Sequence, residues 1–307
     1  MKVTNLSTEP EGLLRSWLPR KLRAEHIIFL PDACPGKSPL PTGTVVLTRQ
    51  PYWRRFAVSD CGCGMRLLKS SLKPSELNRS LWDRVAVALK ENRKGLGHLG
   101  GGNHFLDALL PYEEDTLYFL IHTGSRQESG LVDDLVDSPD QFDEEFLRIV
   151  RWAESNRAMI QEILEKIVGK TELTLDLPHN TFEKIDGGVI IRKGSVKLNA
   201  GDVTILPSHM SGDVVLLRAT DKIGEVLFSM AHGTGRTMSR RDAKNASLNF
   251  DFDALRKALL MPSSISNSSL NTEGPFAYRD LDDCLELLAG YVEEVKRLRV
   301  VAYAGHL

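Results

Sequence analysis

The apolar residues of this 307-residue chain change period repeatedly and never settle into strict β–α alternation. Ile27-Ile28-Phe29-Leu30, Thr44-Val45-Val46-Leu47-Thr48 and Leu117-Tyr118-Phe119-Leu120-Ile121 are short β-branched or solidly apolar runs that read as strands. A step of four through Leu77, Leu81, Val85 and Leu89, behind Ser75 as N-cap, predicts a helix over 75–93. Phe142, Phe146, Ile149, Trp152, Ile160, Ile163, Leu164 and Ile167 give the longest helical pattern, 142–168. Strand character returns over 171–177, 187–192, 202–206 and 213–218. Leu13, Leu14, Trp17, Leu18 and Leu22 suggest a short amphipathic helix near the start, and a polar stretch over 240–250 leads to a last helix near 280–298. The serine-rich residues 263–269 read as a mobile loop. This interleaving argues against a doubly wound parallel sheet and predicts an α+β fold, a mixed α/β single domain with mixed β-sheets flanked by helices.

Charge and cysteine usage narrow the function. With 39 Lys+Arg against 41 Asp+Glu, the formal charge of −2 excludes a globally basic nucleic-acid binder. A local basic cleft stays open, because nearby charges set the field that a phosphate meets. No apolar run approaches the roughly 20 residues of a membrane span, and the first residues lack the apolar core of a secretion signal. Cys34, Cys61, Cys63 and Cys284 are too few for a disulfide scaffold, so a reduced, cytoplasmic protein is expected, with no membrane partner.

Gly95-Leu96-Gly97-His98-Leu99-Gly100 fits the dinucleotide fingerprint, but it follows a helix where that motif needs a strand, and a P-loop is absent. The histidines are more informative. His104, His122, His179 and His232 each fall at a strand end or in a glycine-rich turn. Asp60 and Cys63 flank a turn-forming glycine, a spacing that lets both side chains point into one cavity. Imidazole, thiolate and carboxylate together suit a first-row transition metal, and by affinity order alone such a set favours Zn²⁺ over Mn²⁺.

These segments also carry a resemblance. Asp60-Cys61-Gly62-Cys63-Gly64-Met65 resembles the D-x-G-C-G-M element of RtcB-type RNA ligases, and Leu99-Gly100-Gly101-Gly102-Asn103-His104-Phe105 their L-G-G-G-N-H-F element. His122-Thr123-Gly124-Ser125-Arg126 is similar to H-S-G-S-R, His179-Asn180 to the H-N pair and Arg192-Lys193-Gly194 to R-K-G. His232-Gly233-Thr234-Gly235-Arg236, with Met238-Ser239-Arg240, resembles H-G-A-G-R-x-M-S-R, and Ala277-Tyr278-Arg279-Asp280-Leu281 resembles A-Y-K-D-I. The elements stand in family order from about residue 31 onward.

The resemblance implies one RtcB-like catalytic domain over 1–307 that uses GTP and two Mn²⁺ ions. Such an enzyme joins RNA ending in a 3′-phosphate or 2′,3′-cyclic phosphate to RNA bearing a 5′-hydroxyl, in RNA repair or tRNA splicing. By position His232 matches the guanylylated histidine. Cys63 matches a thiolate bridging two metals, Asp60 and His104 ligands of one, and His122 and His179 ligands of the other. Asn103, His104, Phe105, Asp107, His179, Asn180, His209, Gly233, Thr234 and Gly235 match the nucleotide pocket. Arg126, Arg192, Lys193, Arg236 and Arg240 are candidates for the RNA backbone. RNA with broken ends and GTP are the implied partners, with a helper protein unidentified.

The chain departs from the family pattern mainly where the base is read. Asp107 stands for a glutamate, His209 for a serine and Cys34 for a histidine, and the closing lysine-glycine pair is replaced by Ala304-Gly305-His306-Leu307. Weaker discrimination between GTP and ATP is therefore expected. The chemistry also allows a metal-dependent end-capping nucleotidyl transferase or phosphoesterase that never completes joining, and a non-catalytic RNA-binding relative.

Overall fold

The computed structural model describes residues 1–36, 38–91, 95–305 and 307, apart from the side chains of Arg126 and Gln127. In chain order the strands are β1 (Lys2–Asn5), β2 (His26–Cys34), β3 (Thr42–Thr48), β4 (Gly64–Ser70), β5 (Phe105–Pro111), β6 (Tyr118–Thr123), β7 (Thr171–Pro178), β8 (Asn180–Ile185), β9 (Gly188–Lys193), β10 (Ser195–Lys197), β11 (Val203–Pro207), β12 (Asp213–Ala219), β13 (Ser229–Ala231) and β14 (Val292–Gly305). They build a mixed sheet in the order β1-β2-β3-β9-β8, in which only β1 and β2 run parallel, and an antiparallel sheet in the order β11-β12-β14-β5-β6-β4-β7. β10 and β13 form a separate ribbon. The fold is the α+β arrangement expected from the apolar pattern.

Both faces of each sheet are buried. On β2, Ile28 and Leu30 pack with Leu206, Val215 and Leu217 of the second sheet, while Ile27 and Phe29 face Phe142, Phe146 and Ile149 of the helix Pro139–Val168. Farther along the same helix, Ile160 and Leu164 pack on Phe119, Ile121 and Leu106 of the second sheet, together with Trp82 and Val85 of the helix Arg79–Glu91. The helix Pro139–Val168, about 45 Å long at 1.5 Å per residue, therefore crosses from one sheet to the other.

Antiparallel order sends strand ends to shared edges. The start of β4 lies beside the ends of β6 and β7 (Gly64 opposite Thr123 and Pro178), and the start of β5 lies beside His122 of β6. In the first sheet the end of β9 meets the starts of β3 and β8. The histidine-bearing turns are thus collected by topology.

Two expectations fail. Residues 280–298 are not one helix: Leu281–Leu287 is helical, capped by the Asp280 side chain, and the chain then turns at Gly290 (φ 88°) into β14. Glu293, Glu294, Lys296 and Arg297 imitate a solvated helix face, and register shifts that leave Val295 and Val301 unpaired break the two-residue alternation. Ladders to β12 and β5 on both sides decide the conformation. The serine-rich segment is tied down: Ser263 donates from its N–H and hydroxyl to Asp83 (2.6 and 2.9 Å), Ile265 is buried, and Ser266 caps the helix Asn267–Leu270. The polar residues 240–250 hold the helix Arg240–Ala246, and the helix near the start is limited to Glu11–Ser16. The helix expected over 75–93 starts only at Arg79, where Asn78 Oδ1 accepts from Leu81 N (3.0 Å), Ser75 lies in the separate 3-10 turn Pro74–Glu76, and residues 92–93 lie outside the described residues.

Candidate functional site

The turn before β4 has an unusual backbone. Ser59 and Asp60 adopt φ of 80° and 53°, a conformation that costs a non-glycine residue about 1–3 kcal/mol. Three hydrogen bonds hold it there: Lys193 Nζ to Ser59 O (2.8 Å), Asn180 Nδ2 to Asp60 O (2.9 Å) and Gly62 N to Asn180 O (2.9 Å). Across from it passes Gly124, where a Cβ would lie 2.7 Å from Asp60 Oδ1 and 3.0 Å from Cys63 Cα. Only glycine leaves room for that approach.

Cys63 Sγ lies 3.4 Å from His122 Nε2 and 3.5 Å from His104 Nε2. The Nδ1 atoms of these rings face carbonyl oxygens, Leu99 O for His104 (2.9 Å) and Asn103 O for His122 (3.2 Å). A carbonyl only accepts, so each Nδ1 carries the proton and each Nε2 lone pair points to the sulfur. Two donor groups result, Cys63-His122-His179 and Asp60-Cys63-His104, with the ligand atoms of each group within 4.8 Å of one another. Cys63 is common to both.

The residues fit divalent cations. Burial pushes His104 below, and His122 and His179 well below, the ordinary imidazole range, so these rings are neutral ligands. Burial, reinforced by Asp60, holds the Cys63 thiol well above its usual value, a penalty that a bound cation reverses. His179 Nδ1 is buried without a partner among the described residues, an orphan that metal ligation would satisfy.

His232 follows β13 and stands next to this cluster, its ring centroid 4.4 Å from that of His179 and 6.2 Å from that of His122. Its Nδ1 lies 2.7 Å from Asp32 Oδ2 and 2.9 Å from Gly194 O. Asp32, at the end of β2, is fully buried. Because the Gly194 carbonyl only accepts, Nδ1 is the protonated nitrogen and Nε2 keeps a free lone pair. Gly235 (φ 75°) lets the turn lie against Asp32, where a Cβ would come 2.6 Å from Asp32 Cα. Arg279 ties the two segments by donating to Arg236 O (2.6 Å) and Ala33 O (3.0 Å).

A cavity of about 340 Å³ opens in front of this centre. Of the residues named for a nucleotide pocket, Asn103, Phe105, Asp107, His179, Asn180, His209, Gly233, Thr234 and Gly235 line it, with Tyr303, Tyr278 and Glu273, and His104 does not. Asp107 is buried with Oδ1 unpartnered, and desolvation drives its carboxyl well above the usual range. Arg236 and Arg240 reach the cavity while paired to Glu273 (2.7 and 2.9 Å). Of the other expected phosphate contacts, Arg192 is buried and donates to Glu183, Ser229 and Leu227 O, outside the cavity lining, whereas Lys193 lines the cavity and also holds Ser59 O. The Arg126 side chain lies outside the described residues. Sequence reasoning passed over Asp32, Glu273 and Tyr303, since a carboxylate or phenol gains meaning only from what it faces.

Comparison with known proteins agrees with this geometry. The family model described as tRNA-splicing ligase RtcB matches residues 144–305. The chain belongs to the RtcB family. It is similar to the RNA-splicing ligase RtcB of Escherichia coli (strain K12), 23% identical over 369 residues that cover 90% of this chain and 89% of the relative. It is also similar to the tRNA-splicing ligase RtcB of Nanoarchaeum equitans, 28% identical, covering 72% of this chain and 62% of the relative. No helix among the described residues is long and apolar enough to cross a membrane.

Proposed function

We propose that this protein is an RNA ligase that joins a 3′-phosphate or 2′,3′-cyclic phosphate end to a 5′-hydroxyl end, with GTP as cosubstrate and two Mn²⁺ ions, through guanylylated His232. The observation that carries the reading is the tautomer of His232. The carboxylate and carbonyl at Nδ1 select the tautomer of the neutral ring in which Nε2 holds the lone pair, beside two metal-ligand groups to which it does not belong. Nε2 attacks the α-phosphorus of GTP, the bond to the β-phosphate oxygen breaks, and pyrophosphate leaves. The ring then carries positive charge, and buried Asp32 compensates it. An oxygen of the RNA 3′-phosphate next attacks that phosphorus and returns the electron pair to Nε2. The 5′-hydroxyl finally displaces GMP from the activated end. Bound through Asp60, Cys63, His104, His122 and His179, the cations would neutralise phosphate charge and favour the leaving groups. We take residues 1–307 to act as one catalytic unit, in the reducing cytoplasm, where Cys63 stays free of disulfides.

His232→Ala is the test. It should lose covalent labelling by radiolabelled GTP while binding metal like wild type, and no added Mn²⁺ should restore it. It should still join RNA that already bears a 3′-diphosphate-guanosine end, because that last step does not need the imidazole. Joining of plain 3′-phosphate RNA by this variant would assign the nucleotide to another residue.

A further inference from the structure

Two polar residues interrupt the buried stripe of the helix Pro139–Val168. Phe142, Phe146, Ile149, Ala153, Ile160 and Leu164 continue the stripe, yet Asn156 and Arg157 are fully buried among them. They sit where the helix leaves one sheet and reaches the other. Both side chains are spent on backbone groups of the ligand-bearing turns. Arg157 Nη1 donates to Gly62 O and to Thr123 O, each at 3.1 Å, which are the carbonyls next to Cys63 and His122 in the chain. Its Nε is held at 2.7 Å by Asp176 of β7, whose other oxygen binds Arg66 of β4. Asn156 accepts from Gly97 N (2.7 Å) and His98 N (3.1 Å) and donates to His98 O (3.0 Å). That fixes the turn whose next carbonyl, Leu99 O, accepts from His104 Nδ1.

We propose that Asn156 and Arg157 are the positioning residues of the metal centre: Arg157 sets the Cys63 and His122 segments relative to each other, and Asn156 sets the ring of His104. A buried ion pair adds little net stability compared with apolar packing. What the guanidinium supplies is two donor nitrogens at a fixed planar spacing, Nε on Asp176 and Nη1 on both carbonyls, which the single nitrogen of lysine cannot reproduce. Partners of this kind behind metal ligands are worth about 10–100-fold in metal affinity. The division of labour makes the effects unequal. Arg157 touches segments that serve both donor groups, whereas Asn156 reaches only the group that contains His104.

The inference rests on the metal reading above, and its test is independent of ligation. Metal-free wild type, Arg157→Lys and Asn156→Ala are titrated with Co²⁺ alone. The thiolate-to-cobalt absorption reports Cys63, equilibrium dialysis counts the ions, and the unfolding temperature of the metal-free forms is measured alongside. Arg157→Lys should bind both ions 10–100-fold more weakly. Asn156→Ala should bind one ion with wild-type affinity and the other more weakly. If Arg157→Lys does not fold, Arg157→Gln replaces it. Variants that unfold at lower temperature but bind two ions with wild-type affinity would reduce both residues to structural fillers and overturn the proposal. Wild type that binds no Co²⁺ would instead remove the metal reading itself, and this inference with it.

Discussion

At the scale of residues, the site sets side chains of one type to different tasks by what each nitrogen or oxygen faces. His104 and His122 turn their lone pairs to Cys63, whereas His232 is turned by Asp32 and Gly194 to keep its own outside both donor groups. Asp107 illustrates a carboxyl without a counter-charge: fully buried, it is raised by desolvation alone. A carboxyl raised in the folded state contributes stability that is fully present below its ordinary value, near 3.8, and is lost as pH rises through the folded value. Asp107→Asn carries no such proton. The unfolding temperature of the variant minus that of wild type should therefore climb from about pH 4 toward neutrality and then level off. A difference that stays flat across that range would mean that Asp107 is ionised and paired in the native protein. The residues of the two donor groups and His232 stood out in the sequence by their turn positions and by the family resemblance, and the fold brings them together. Asp32 carries no mark in the sequence and stands out only through the 2.7 Å contact with a residue 200 positions away.

Elements show a similar division. The strands of both sheets that bury two faces were readable as solid apolar runs, and the helix Pro139–Val168 was readable from its stripe. One signal was available and unused: Asn156 falls seven residues after Ile149, on the apolar line itself, where a polar residue needs a partner. β14 escaped because its bulges scatter the alternation and its charged residues fit a helix face equally well. The two readings make opposite predictions for Val295 and Leu298. In a helix, positions three apart share a face. In β14, Leu298 is fully buried and Val295 is bulged out and 45% exposed. Leu298→Ala should cost about 2–5 kcal/mol by cavity formation, and Val295→Ala should stay within about 0.5 kcal/mol. Urea unfolding midpoints measure both. Similar losses would contradict the strand.

For the whole molecule, the proposed metal centre predicts that metal binding and folding are coupled through the junction of the two sheets. Asp60, Cys63, His104 and His122 come from one end of the seven-stranded sheet, while His179 occupies the single residue between β7 of that sheet and β8 of the other. Unfolding separates these segments, so a cation held by either group binds the native state alone. Each ion present at 100 times its dissociation constant then adds about 2.7 kcal/mol. For a chain of this size, 1 kcal/mol corresponds to roughly 2 °C in unfolding temperature. With two ions bound, wild type should therefore melt about 10 °C higher in saturating Mn²⁺ than in chelator. Cys63→Ala should show almost no rise, because the thiolate belongs to both groups, and Cys61→Ala should keep the full rise, because that sulfur packs in the apolar core beside Phe146 and Ile149. His232→Ala should also keep it, since its imidazole is outside both groups. A full metal-dependent rise in Cys63→Ala would show that the cations are held without the shared sulfur, and the two-group description of the centre would fall.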